Sequence, residues 1–137
     1  MSSVFLDTSS LIYYLDGFEP FATKVEQFLL STLNSSTSLY TSTITDTEYF
    51  VYPYRENNFS KIIIYKSFLQ DVHIQKVCID DSIAEKAAQI RAFYQSIKTP
   101  DSLQLASAIK SGCDVFLAND KQLKQVQEIR VLLVDEL

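Results

Sequence analysis

Residues 97–123 read IKTPDSLQLASAIKSGCDVFLANDKQL and hold a complete helix-to-strand unit. Pro100 suits the first turn of a helix, where its missing N–H has no partner to lose, and Thr99 before it suits an N-cap. The helix is expected over Pro100–Lys110, with Gly112 ending it. Val115-Phe116-Leu117-Ala118 is then an unbroken apolar run, the pattern of a strand buried on both faces. Asn119 and Asp120 follow that strand at once.

The same alternation extends in both directions. Val4-Phe5-Leu6 reads as a buried strand, followed by Asp7 and a helix over Ser9–Leu15 that Asp16-Gly17 ends. Phe21–Leu33 is helical, with Phe21, Val25, Phe28, Leu29 and Leu33 on one face. In the tract 31–45 ten of fifteen residues are Ser or Thr; it reads as a helix end, a loop and a short strand at Leu39–Thr41. A third helix is expected over Thr45–Tyr52, ended by Pro53, and a fourth over Phe59–Leu69. Val72, Ile74, Val77 and Ile79 indicate extended chain around His73, which reads as structural or solvent-facing. Ile83, Ala87, Ile90 and Tyr94 form a helical stripe behind the caps of Asp80-Asp81-Ser82. A short helix over Lys121–Val126 and a strand over Val131–Val134 complete the chain. Strands separated by helices predict an α/β fold: one domain over 1–137, a three-layer α/β/α sandwich around a central, mostly parallel sheet of about five strands. Ligands of such sheets sit outside the carboxyl ends of the strands.

Composition narrows the chemistry. The 137 residues include 17 acids and 12 Lys or Arg, for a net charge of −5, and apolar residues make up 47%. That is enough apolar surface for a core, which argues against disorder. No apolar run approaches the roughly 20 residues of a membrane span, and no secretory signal is visible. Cys78 and Cys113 form no metal spacing or disulfide framework and read as buried free thiols in a reducing cytoplasm. His73 is the only histidine, which excludes metal sites built on several imidazoles. Residues 1–60 hold seven acids against two bases, and residues 61–137 hold ten of each. An acidic surface repels phosphate, so handling nucleic acid requires local cancellation of charge, as a bound divalent cation provides.

Four acids fall at strand ends or helix starts: Asp7, Glu48, Asp101 and Asp120. Each has an ordinary reading. Acids are favoured at helix N-termini by about 0.3–1 kcal/mol. Thr45-x-x-Glu48 fits a capping box, and Asn119 or Asp120 fits a cap of the next helix. As a set they read differently. Converging carboxylates stay ionised together only around a cation, and an all-oxygen set selects a hard ion such as Mg²⁺ or Mn²⁺. Asp46, two residues from Glu48, would point elsewhere on a helix.

The sequence resembles PIN-domain proteins, above all the toxin ribonucleases of VapBC-type, type II toxin–antitoxin systems. VFLDTSSLIYYLDG resembles their first motif, TSTITDTEYF the second, and the stretch from Ile97 to Leu123 the third and fourth run together. The resemblance implies a PIN-like fold and a metal-dependent endoribonuclease with Asp7, Glu48, Asp101 and Asp120 as catalytic and metal-holding acids. It implies Ser9 and Asn119 as supporting polar residues, and Mg²⁺ or Mn²⁺ as cofactor. It further implies in-line attack of an activated water on RNA, leaving 5′-phosphate and 3′-hydroxyl ends. Lys98, Lys121 and Arg91 are candidates to steer the RNA backbone, or else solvated helix faces. Ala118 departs from the pattern, since the family commonly has Thr or Ser there. The resemblance also implies an antitoxin partner and a cytoplasmic homodimer, and Phe18, Phe50, Tyr52 and Tyr54 are expected to form a partner-binding surface. The alternative is a non-catalytic PIN-like module that binds RNA or protein. An Asp-nucleophile phosphotransferase ranks far behind, because such enzymes need an acid where Ser9 stands.

Overall fold

In the computed structural model, which describes residues 1–137, five strands form one sheet: β1 (Ser3–Leu6), β2 (Ser38–Ser42), β3 (Ile74–Val77), β4 (Val115–Ala118) and β5 (Arg130–Leu133). Their order is β3-β2-β1-β4-β5, and every pairing is parallel. The helices are α1 (Thr8–Asp16), α2 (Phe21–Leu33), α3 (Thr43–Tyr49), α4 (Val51–Arg55), α5 (Phe59–Asp71), α6 (Asp81–Phe93) and α7 (Thr99–Lys110). Short 3-10 turns occupy Lys121–Gln125 and Val134–Glu136.

Side chains alternate across the sheet and divide the core in two. Phe5, Phe116 and Ala118 face α6 and α7, and meet Ile83, Ile90 and Leu105. Val4, Leu6, Val115 and Leu117 face the other layer, with Leu11, Val25 and Tyr65. Phe5 and Phe116 stack with ring centroids 5.3 Å apart. Both are fully buried, and each such side chain contributes about 1.5–3 kcal/mol by leaving water. The three-layer parallel fold expected from the sequence is therefore present, and its layers follow from the unbroken apolar runs of β1 and β4.

Several local expectations are corrected. The third helix starts earlier, at Thr43, because Ser42 is its N-cap and accepts from the Ile44 N–H at 3.1 Å. Glu48 therefore lies beyond the first turn, and no capping box forms with Thr45. Pro53 does not end the helix. The chain kinks at Phe50 and Pro53 sits inside α4, at its third residue, where an N–H has no helical partner to lose. Thr99 is already helical, and Lys98 holds the cap position without a side-chain bond. The last strand is shifted by one residue and ends at Leu133. Cys78 is exposed, and only Cys113 is buried. Asp80 does cap α6, accepting from the Ile83 N–H at 2.9 Å. His73 is exposed with φ 59°.

The strand order places the topological switch at β1. The chain moves outward from β1 through β2 to β3, then returns to pair β4 on the other side of β1. Loops leaving the carboxyl ends of β1 and β4 diverge there and open a crevice.

Candidate active site

Asp7 follows β1 directly, and its backbone N–H donates to the Leu117 carbonyl at 3.1 Å. Its side chain caps α1. Oδ1 accepts from the Ser9 hydroxyl at 2.6 Å and from the Ser10 N–H at 3.3 Å. No protein donor reaches Oδ2, and no unpartnered side-chain polar atom is sealed in the interior. Oδ2 therefore opens on the crevice. The Ser9 hydroxyl thus fixes one Asp7 oxygen.

The crevice is lined by all four candidate acids, Asp7, Glu48, Asp101 and Asp120, together with Ser9 and Asn119. Their positions come from four separate segments: the end of β1, the body of α3, the first turn of α7 and the residue pair after β4. Asp120 caps the following 3-10 turn by accepting from the Gln122 N–H at 2.9 Å. The ordinary capping roles of Asp7 and Asp120 are thus real, and they hold the acids at the crevice. Asn119 uses its amide elsewhere, donating to the Tyr13 hydroxyl and accepting from the Asp135 N–H, both at 3.3 Å.

Electrostatics mark the crevice as short of positive charge. Burial pushes the Asp7 carboxyl up to about 7, and the nearby Asp101 and Glu48 push in the same direction, against the Ser9 and Ser10 donors. Asp101 is raised as well, first by burial and then by Asp120 and Glu48, with Lys98 opposing. The molecule's four ion pairs are Lys61–Asp16, Lys76–Asp46, Lys86–Glu128 and Lys124–Glu136. None uses a crevice carboxylate. All-oxygen donors in mutual repulsion fit a hard divalent cation. No three His, Cys, Asp or Glu side chains are already gathered closely enough to ligate one ion, so the acids would have to draw inward to close on it.

The remaining candidates divide. Lys98 lines a pocket that adjoins the crevice and shares Asp101 and Asp120 with it. Lys121 and Arg91 are exposed and line neither cavity. Asp46 points away: it accepts from the Tyr65 hydroxyl at 2.7 Å and pairs with Lys76 at 2.9 Å. Ala118 is fully buried in the core facing α6 and α7. Phe18, Tyr52 and Tyr54 are 53%, 67% and 57% exposed. Phe50 is half-buried, edge-on to Tyr65 and Tyr54. Phe18 and Tyr52 line a cleft of about 340 Å³ with Ile12, Tyr49 and Pro53, edged by the charged Asp16, Glu56 and Lys61, and Glu48 and Ile12 belong to both cleft and crevice.

The sequence reading missed a group of buried polar residues behind Glu48: Thr8, Thr41, Ser42, Thr45 and Gln104. Thr8 donates to Glu48 Oε1 at 2.5 Å. One signal was present, since Gln104 lies three residues after Asp101 and shares its helix face.

The PIN domain family model matches residues 4–129. The chain belongs to the PIN domain family. No curated protein matches its sequence. Among solved structures, the chain is similar to VapBC2 from Rickettsia felis bound to a promoter DNA fragment, with a TM-score of 0.76 at 16% identity, covering 96% of this chain and 98% of that one. It is also similar to a toxin–antitoxin complex from Klebsiella pneumoniae, with a TM-score of 0.74 at 21% identity over 98% and 99% of the two chains. A third is VapC20 from Mycobacterium tuberculosis, a toxin that cleaves the sarcin–ricin loop, with a TM-score of 0.70 at 14% identity over 93% and 98%. At these identities the likeness establishes the fold.

Proposed function

We propose that this protein is a metal-dependent endoribonuclease and the toxin of a type II toxin–antitoxin pair. One observation carries the reading: four carboxylates from distant segments line a single open crevice, and no cation of the protein pairs with any of them. Membership of the PIN family supports it, as do structural neighbours that are toxin–antitoxin complexes.

Asp7, Glu48 and Asp101 would hold Mg²⁺ or Mn²⁺ directly or through water, with Asp120 adding outer charge. When bound, the ion supplies Lewis acidity at the phosphate and an acidified water. The chain supplies the rest. Ser9 and the Ser10 N–H fix one Asp7 oxygen and leave Oδ2 toward the crevice. Thr8 fixes Glu48. Lys98, beside Asp101 and Asp120, places a positive charge where an RNA strand leaving the crevice would run. The expected products carry 5′-phosphate and 3′-hydroxyl ends. Incubating the purified chain with RNA and Mg²⁺ or Mn²⁺ tests this: wild type should cleave and Asp7→Asn should not, and equal cleavage by both would overturn it.

The cleft beside the crevice fits the antitoxin. Its wall of Ile12, Phe18 and Tyr52 offers apolar anchoring, and Glu48 at the shared edge offers an acid for a basic side chain of that partner. Replacing both Phe18 and Tyr52 by Ala should weaken the complex by about 30-fold or more, the effect of losing exposed aromatic anchors. Thermal stability should stay within about 1–2 °C, since surface substitutions away from the core cost little. Co-expression with the neighbouring gene's product and titration by calorimetry checks both. The reading includes pairing of two copies in the cytoplasm, which light scattering tests for the pairing.

A second reading is favoured by one observation, that no three acids are pre-gathered for an ion. In it the chain is a non-catalytic module that binds RNA or protein. Calorimetry without Mn²⁺ binding, combined with RNA binding in a gel-shift assay and no cleavage, would decide for it.

A further inference from the structure

We propose that Gln104 is a positioning residue for Glu48, acting through Thr8 by fixing the direction of a chain of buried hydroxyl protons. The inference rests on the nuclease reading for its purpose, but its geometry stands alone.

Each proton can be placed. Ser42 Oγ accepts from the Ile44 N–H at 3.1 Å and gives its single proton to Gln104 Oε1. That contact sets the amide, so Nε2 faces Thr45 Oγ1 at 2.8 Å and Thr8 Oγ1 at 3.2 Å. Both amide protons are then used. Thr41 gives its proton to the Leu6 carbonyl at 2.9 Å. In the 2.9 Å contact between Thr41 and Thr45, Thr45 is therefore the donor. Thr8 now accepts from Gln104. Its own proton has two possible targets: Thr45 at 3.3 Å, which already accepts from the amide, and Glu48 Oε1 at 2.5 Å. The carboxylate takes it.

Turning the amide over breaks the chain. Its oxygen would then face Thr45 at 2.8 Å and Thr8 at 3.2 Å as an acceptor, and would compete with Glu48 for the single Thr8 proton. Ser42 would keep a proton with no acceptor. Glu48 at the outer end of the chain is exposed, but water does not reach the inner members, because Thr41, Ser42 and Thr45 are fully buried and Gln104 is 2% exposed. In such surroundings an unmade hydrogen bond costs more than in water. Gln104 therefore holds the Thr8 proton on one Glu48 oxygen and leaves the other oxygen for the crevice.

The test uses Gln104→Met, which keeps length and removes both donors, and Gln104→Glu, which puts an acceptor where Nε2 stands. Both should weaken Mn²⁺ binding by about 10-fold in calorimetry, the scale seen when an outer hydrogen bond to a metal ligand is removed. Thr8→Val should lose as much, Thr8→Ser should lose little, and Gln104→Met combined with Thr8→Val should lose no more than Thr8→Val alone. Wild-type affinity in a folded Gln104→Met protein, or additive losses in the double variant, would overturn the inference. If Gln104→Met does not fold, Gln104→Glu carries the same comparison. A second readout needs no metal: the Glu48 carboxyl ¹³C resonance should move the same way in Gln104→Met and Thr8→Val. An unchanged resonance in either of them overturns the inference. Should wild type neither bind Mn²⁺ nor cleave RNA, the nuclease reading is lost, and the resonance still decides the role of Gln104.

Discussion

Asp46 and Glu48 stand two residues apart on α3 and face different surroundings. Asp46 has a lysine at 2.9 Å and a tyrosine hydroxyl at 2.7 Å. Glu48 looks into a crevice with three further acids and no paired cation. The same contrast separates the four acids held in ion pairs from the four that line the crevice. Asp16, Asp46, Glu128 and Glu136 each have a lysine partner, whereas the crevice acids have hydroxyl and backbone donors only. The paired acids complete their own electrostatics within the fold. The crevice acids do not, and the missing charge is what a ligand would bring.

The sharpest way to break this comparison is to remove one acid from each side. Asp7→Asn should lower RNA cleavage by about 100-fold or more, the scale of losing a group that stabilises transition-state charge. Asp46→Asn should leave cleavage within about twofold, as expected of a charge outside the site. Initial rates on one RNA decide it, and equal losses would erase the distinction.

The second test is pH. The Asp7 carboxyl, ordinarily near 3.8, is raised to about 7 by burial and by its acidic neighbours. A raised acid favours the folded state while protonated. Its contribution is complete below about pH 4 and disappears as pH rises through about 7. Stability of the metal-free protein should therefore fall across that window, by on the order of 2–4 kcal/mol or about 5–10 °C in Tm. Asp7→Asn should flatten the profile, and Mn²⁺ should restore stability at pH 7 in wild type only. Calorimetric melts at several pH values, with and without the ion, check all three.

The smallest effect belongs to the paired side. Lys76→Met removes a cation from a partly exposed pair and should cost about 1 kcal/mol or less. Urea denaturation measures it, and adding Mn²⁺ should not change the difference between variant and wild type.

The sheet was legible because β1 and β4 are buried on both faces, so their apolar runs carry no polar interruption. The break at Phe50 was not, since Pro53 ends a helix in most settings but is harmless at the third residue of a new one. Glu48 was picked out as an acid of a helix's first turn, and it lies later because Thr45, read as the cap, belongs to a helix already under way. Asp7, Asp101 and Asp120 were visible as acids at element junctions. Thr8, Thr45 and Gln104 were not, because a buried polar group satisfied by other polar groups leaves no hydrophobic period behind. Cys78 was misjudged for the opposite reason, as its exposure depends on neighbours far along the chain.

Because β1 lies at the centre with later strands added on both flanks, the four acids meet only after nearly the entire polypeptide has been threaded into place. A chain halted during translation before residue 115 would own three of the acids and no enclosure to hold them. The crevice is therefore a property of the assembled sheet, and no segment shorter than residues 7–120 contains all four carboxylates.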